Sequence, residues 1–243
     1  MLSALALAIA VTACGPRARI PQAPLTIPGS LAPNDSNAVL ARQLAPVLYL
    51  NRDETFPLLR VVAVVHPARR VIAYNLLWRD DAHAAWIPFT IPTDQEVVWV
   101  AYDSTHAPTE IWTYWHGKVL RAEWSSRGQV LVDVQWGKHG SMPRGVVEED
   151  LPRFLRLGDY YMLSWLLPDF WLGNVMRSGP ICFCKSYRRY RDFSRPLLLA
   201  SRIDAVVRTA NPDAALRAAF GEPYSEKPFW PWREPRRGVV ERL

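Results

Sequence analysis

Between residues 46 and 137 the chain repeats one kind of unit, a short run dense in Val, Ile, Leu, Trp and Tyr that ends in turn residues. The runs are 46–50 (PVLYL), 59–67 (LRVVAVVHP), 71–78 (VIAYNLLW), 84–89 (AAWIPF), 96–103 (EVVWVAYD), 109–117 (TEIWTYWHG), 118–126 (KVLRAEWSS) and 129–137 (QVLVDVQWG). Each is short for a helix and rich in the β-branched and aromatic residues that suit a pleated surface. Gly117 and Lys118 join two of them at the spacing of a hairpin. Pro88 inside 84–89 places that run at a sheet edge or a strand end. A doubly wound fold needs amphipathic helices between its strands, and none separate these runs. The pattern therefore predicts a mainly β protein, an antiparallel β-sandwich over residues 38–145.

The flanks read differently. Asn37 to Leu44 suits a short helix behind an Asp or Ser cap. From residue 146 the chain turns helical in parts. Leu155, Asp159, Met162 and Leu166 fall near helical spacing and Pro168 ends the run. Asp159, Pro168 and Asp169 interrupt this apolar stretch too often for a bilayer span. The segment SRIDAVVRTANPDAALRAAFG reads as one or two further helices, with a break at Asn211-Pro212 and a stop at Gly221. The tail EKPFWPWREPRRGVVERL reads as a Pro/Trp-rich wrap over the surface. Residues 146–243 are thus expected as a helical C-terminal extension and tail packed on the sandwich. At 243 residues and 49% hydrophobic the chain needs no disulfide framework. Cys182 and Cys184 lack the spacing and the second pair of a metal site.

The N-terminus is an apolar run, MLSALALAIAVTACG, of signal-peptide length and too short to span a bilayer. Val11-Thr12-Ala13-Cys14 resembles the bacterial lipobox. The resemblance implies that residues 1–13 are a lipoprotein signal peptide and that Cys14 is lipidated with acyl chains such as palmitate. Residues 14–37, rich in Pro and small polar residues, read as a tether. The chain is then expected in the bacterial cell envelope, periplasmic or on the outer surface, with the membrane as a partner through its lipid anchor. The net charge of +6 sits late in the chain, in Arg188, Arg189, Arg191, Arg195, Arg236 and Arg237 among others. No nucleic-acid motif accompanies it, and no nucleic-acid partner is expected.

The chemistry-bearing residues lie at strand ends. Asp94 and Glu96 stand two apart at the start of one strand, so both point to one face and repel each other. Asp80 and Asp81 close the preceding run, His83 follows them, His116 sits at the hairpin and His139 at the end of the last run. Paired neighbouring strands would gather these groups at one end of the sandwich. Hard cations take several oxygen ligands, and a divalent cation, Ca or Mg, would relieve the Asp94–Glu96 repulsion. Asp80, His83, Asp94, Glu96 and His116 are the candidate metal ligands. His139, Trp115 and Trp136 are the candidate ligand-binding residues. Trp112, Trp115, Trp124 and Trp136 form either a carbohydrate platform or aromatic core and edge packing. No G-x-S-x-G elbow, His-x-x-x-His pair or phosphate loop occurs.

The order of the segments carries a resemblance. LAPVLYLNRDETFP resembles the opening of the vacuolar protein sorting-associated protein 62 family, with Asp53, Glu54 and Pro57 at its acidic pair and proline. TDQEVVWVAYD resembles the D-W-E-x-V-x-V-x-x-D stretch shared with the necrosis- and ethylene-inducing peptide-like toxins. IWTYWHG and WGKHGSMP are similar to two further segments of those toxins, and the likeness runs in order from residue 44 to 143. It implies a β-sandwich with a divalent cation at one end. Asp80 matches the upstream aspartate, Asp94 and Glu96 the two motif acids, and His116 and His139 two nearby histidines. Thr93 stands where the motif has its ligand histidine and Gln95 where it has tryptophan. Either His83 or His116 substitutes, or the site is degenerate.

Three functions follow as expectations. The first is a non-catalytic envelope module that binds a glycan or protein partner, with a divalent cation site. The second is a metal-dependent hydrolase of glycan or phosphoester, using His116 or His139 as base. The third is a membrane-active, toxin-like protein. The missing motif histidine and the absence of a nucleophile pattern favour the first, so no catalytic residue is assigned.

Overall fold

A computed structural model describes residues 25–52, 54, 56–79, 94–115, 117–126, 128–137, 139–146, 192–221 and 227–233. The runs read from the sequence become strands: β1 (Val47–Leu50), β2 (Leu58–Val65), β3 (Val71–Trp78), β4 (Asp94–Tyr102), β5 (Pro108–Trp115), β6 (Lys118–Glu123) and β7 (Leu131–Val134). Three more follow, β8 (Ser141–Pro143), β9 (Arg195–Leu198) and β10 (Ala205–Arg208). The expected strand 84–89 and the expected helix near 155–168 lie outside the described residues.

The strands form two sheets, a six-stranded one in the order β10-β2-β3-β4-β5-β6 and a four-stranded one in the order β8-β7-β1-β9. Leu48, Leu50, Val132 and Val134 of the smaller sheet meet Ile72, Tyr74, Leu76, Trp78, Val98 and Val100 of the larger in one buried cluster. This is the core of a β-sandwich, as expected. Two pairings depart from a purely antiparallel arrangement: β1 lies parallel to β7, and β10 parallel to β2.

The departure comes from the C-terminal segment. It was expected as helices laid on the sandwich, yet β9 and β10 each complete the edge of a sheet. Val206 and Val207 are both buried against opposite faces, one in each apolar cluster. A strand position satisfies both, whereas a helix would turn one of them away. The predicted break at Asn211-Pro212 and stop at Gly221 are found at those residues. The helix Asp213–Phe220 follows Pro212, and Gly221 ends it at φ 69°, a left-handed conformation that suits glycine.

The larger sheet is covered on both faces. Its outer face carries Val62, Val64, Ala73, Leu77, Val97 and Trp99. The helix Asp213–Phe220 packs on this face through Ala215, Leu216, Ala219 and Phe220, and Trp230 joins them. Double coverage explains why β2 and β3 read as unbroken apolar runs rather than alternating ones. The cover thins toward β5, which alternates between buried and half-buried positions. Residues 227–233 form a strap across this thinner part. The Trp99 indole donates to the Phe229 carbonyl at 2.9 Å and the Trp230 indole to the Ala210 carbonyl at 2.8 Å. The other helix, Ser36–Gln43, is capped by Asp35, whose Oδ1 accepts from the Asn37 amide at 2.8 Å. Its Ala38 and Ala41 face the inner core, and Tyr74 donates its hydroxyl to the Ala41 carbonyl at 2.8 Å.

If the outer helix belongs to the same cooperative unit as the sandwich, Leu216→Ala costs about 2–5 kcal/mol of global stability. Urea unfolding checks this. The expected result is a lower midpoint with an unchanged slope.

Candidate functional site

The start of β4 lies at one end of the sandwich. Asp94 and Glu96 share the alternation of Val98 and Val100, so both carboxylates point toward the space between the sheets. The β3–β4 register runs to the last pair, Trp78↔Asp94. From the opposite sheet, the chain leaves β7 at Val134 and makes a tight turn. The His139 amide donates to the Gln135 carbonyl at 3.0 Å and the Gln135 amide to the Gly140 carbonyl at 2.9 Å. His139 sits at φ 52°, a left-handed conformation rarely taken by a residue with a side chain. A third segment, the turn after β1, brings Glu54.

These three segments meet on one imidazole. His139 Nδ1 lies 2.9 Å from Asp94 Oδ2, and Nε2 lies 3.6 Å from Glu54 Oε1. The ring stacks on Trp78 with centroids 4.3 Å apart and planes 5° from parallel, and Phe56 meets it edge-on at 5.8 Å. Glu54 in turn accepts from the Phe56 amide at 2.8 Å and the Gly137 amide at 2.9 Å. His139 is wholly buried. Burial opposes charge on the ring, but the hydrogen bond to Asp94 and the nearby carboxylates of Glu54 and Asp94 outweigh it and push the pKa up to about 9, while Nε2 has no hydrogen-bond partner among the described residues. Burial likewise works to raise Glu54, yet His139 and the two amides hold its carboxyl below the usual range. The ring is therefore an imidazolium between two carboxylates at neutral pH.

Glu96 has a different partner. Lys227, at the start of the strap, places its ammonium 3.1 Å from Glu96 Oε1 and 4.5 Å from the centre of the Tyr114 ring. Burial is the largest influence on Glu96 and raises its carboxyl to about 8, with Lys227 pulling the other way and Asp94 adding to the rise. Burial also works against the lysine's charge, and the Glu96 carboxylate overcomes it, so the ammonium is favoured. Glu96 Oε2 has no hydrogen-bond partner among the described residues.

Of the expected metal ligands, Asp94 and Glu96 lie at one end of the sandwich. Asp80, His83 and His116 lie outside the described residues, as does Cys14, the expected lipidation residue. His139 is at the site, but as a clamp rather than a surface for ligand. Trp115 and Trp136, also expected to bind ligand, are buried at 0% and 3% exposure. An indole enclosed to that extent packs the core and offers no face to a sugar. Two residues at the centre were not anticipated as site members. Trp78 ends an apolar run and reads as core beside the charged residues that follow it, and Lys227 stands 131 residues from Glu96. Glu54 had a signal, the acidic pair of NRDETFP, but nothing in it pointed to His139.

The fit to a divalent ion is poor in one respect that the described residues decide. His139 lies between Glu54 and Asp94, so the three side chains do not converge on a point. The ammonium of Lys227 occupies the flank of Glu96. Among the described residues no three His, Cys, Asp or Glu side chains form a metal-holding group. Among the described residues, two surface concavities away from this site stand out. A groove of about 740 Å³, lined by Gln43, Asp103, Thr105, His106 and Gln129, opens at the far end of β4. A slot of about 220 Å³ lies between the strap and the edge strands, lined by Trp112, Val119, Arg121, Pro231 and Trp232.

No family model and no curated protein matches the chain. Solved structures do. The matches are necrosis- and ethylene-inducing toxin-fold proteins. One, NLPPya in complex with glucosamine, is 13% identical, with a TM-score of 0.36 over 51% of this chain and 74% of its own. A second, described as a toxin fold for microbial attack and plant defense, is 12% identical, with a TM-score of 0.35 over 51% and 75%. Necrosis and Ethylene inducing Protein 2, from the causal agent of cocoa's Witches Broom disease, is 11% identical with a TM-score of 0.35, covering 66% of this chain and 96% of its own. The overlap is partial and the identity low, so the chemistry of the site rests on its own residues.

The clamp has a pH signature. Folding raises His139 from 6.5 to about 9, so the folded state holds an extra proton in that window. Its stabilisation is complete below pH 6.5 and drains as pH climbs through 9. Glu96 acts with the same sign across a lower window, from 4.5 to about 8. Stability is expected to fall by about 3 kcal/mol between pH 6.5 and 9.5 on account of His139. Urea titrations along a pH series check this. His139→Gln should be less stable at pH 6 and lose the slope between pH 8 and 9.5.

Proposed function

We propose that the chain is a non-catalytic binding module of the bacterial envelope, held at a membrane through lipid on Cys14, that recognises a glycan with its strap-side surface. The observation that carries the non-catalytic part is the enclosure of His139. A general base must reach substrate with a free lone pair. This ring is wholly buried and both its nitrogens face carboxylates. Of the two candidate bases, His139 instead ties the two sheets together, and His116 lies outside the described residues.

The slot beside the strap supports the binding part. Its volume of about 220 Å³ is below that of a drug-sized pocket and suits a single ring. Trp232 is 37% exposed, and its ring is braced by Trp230 at 5.6 Å and by the Arg69 guanidinium at 4.3 Å. A braced, half-exposed indole loses little entropy on binding, which is why Trp anchors interfaces so often. Arg121, ion-paired with Glu110, supplies polar groups at the rim. The anchoring part rests on the lipobox resemblance and the tether that follows it. No described helix is long and apolar enough to cross a membrane.

Two measurements test this reading. Tryptophan fluorescence of the chain from residue 15 onward is titrated with glucosamine, mannosamine and envelope oligosaccharides. A saturable change that Trp232→Ala abolishes is expected, with no hydrolysis product by chromatography. Product release that Trp232→Ala leaves intact would sink the binding-module reading. For the anchor, cell fractionation of Cys14→Ala should move the protein from the membrane to the soluble fraction.

A further inference from the structure

We infer that Lys227 is the resident cation of the β4 carboxylate site, taking the place of a divalent metal ion, and that the folded chain binds no Ca or Mg there. Glu96 is 6% exposed and stands beyond the last β4–β5 pair among the described residues. The β3–β4 register reaches Trp78↔Asp94, but the β4–β5 register stops at Val98↔Thr113. The two strands part before Glu96, and this opens a way from the strap to its carboxylate. Lys227 uses it, passing the ring of Tyr114 on the strap-side face to set its ammonium 3.1 Å from Glu96 Oε1.

The position of the lysine does not depend on the ion pair alone. Two residues further on, the Phe229 carbonyl is held by the Trp99 indole. Trp230 is buried in the outer cluster and donates to the Ala210 carbonyl. The strap is thus fixed by packing and hydrogen bonds, and the fold delivers the ammonium. Tyr114 beneath it contributes a favourable ring face.

The other acid is already served. Asp94 takes the ring nitrogen of His139 at 2.9 Å. Both acids at the start of β4 therefore have a nitrogen partner built into the chain. A calcium ion on Glu96 would sit about 2.3–2.6 Å from its oxygen, and a magnesium ion about 2.0–2.1 Å. Either would stand within a few ångströms of a buried ammonium, where charge repulsion is strong because water cannot screen it. Lysine and dication are alternatives at this position, and the strap has fixed the choice.

The test begins with the unaltered protein. After dialysis, elemental analysis is expected to find no stoichiometric calcium, magnesium or other divalent metal. EDTA and millimolar Ca or Mg should move the melting temperature by less than about 1 °C, since a ligand bound only by the folded state would raise it. Retained stoichiometric metal, or a melting temperature that EDTA lowers, overturns the inference. Lys227→Met takes from buried Glu96 Oε1 the ammonium that donates to it and should lower the melting temperature by about 5 °C or more. Combining it with Glu96→Gln removes both charges and should recover most of that loss. Additive losses in the double variant would show that the pair does not act as a unit, and would likewise overturn the inference. If Lys227→Met fails to fold, the metal analysis of the unaltered protein still decides.

Discussion

The structure depends most on a single buried imidazolium. His139 holds Asp94 of the six-stranded sheet with one nitrogen and faces Glu54, in the turn after β1, with the other. Glu54 also binds the amides of Phe56 and Gly137, so one carboxylate organises two loops. Remove the ring and two acids remain close together in a dry place, which is worse than leaving either alone. The left-handed backbone of His139 fits this role. A strained conformation persists where the surroundings over-determine it, and here two carboxylates and the face of Trp78 do so.

The sandwich itself was legible because its strands are short, β-branched and bounded by turns. The element that escaped was β10. Read locally, Ala205–Arg208 sits among alanines and arginines that favour helix. Burial on both faces against β2 overrode that preference, as tertiary context does for β propensity. β9 escaped for another reason: four residues including Pro196 give almost no periodicity. Neither parallel pairing could be read, because each joins segments distant in sequence. The consequence is structural. A sandwich that closes its edges with C-terminal strands ties the strap and the outer helix to its core.

The site was half legible. Two acids at positions i and i+2 of a strand must share a face, and they do. What they face was not legible, because charge partners come from the whole fold. His139 approaches Asp94 across 45 residues and Lys227 approaches Glu96 across 131. No spacing rule spans such gaps. Trp115 and Trp136 show the complementary failure. Indoles near strand ends suit a sugar platform or a core equally well, and only exposure separates the two. Among the described residues the exposed indole is Trp232, in a tail whose composition suggested a wrap but not a binding face.

The resulting division of labour follows from where charge can be afforded water. The buried end of β4 is electrostatically saturated: each acid has its cation, supplied by the chain at a fixed distance. Such a site resists change, since opening it would strand a charge in a dry place. The proposed recognition falls to the surface that is concave, aromatic and still partly wet, the slot between the strap and the edge strands. The same seven residues serve both ends. Lys227 neutralises Glu96 at the head of the strap, and Trp232 faces solvent five residues later. A ligand seated on Trp232 would press on a segment whose other end is held by a buried ion pair. That pair makes the strap a rigid platform, and rigidity is what lets a small slot bind without first ordering its own walls.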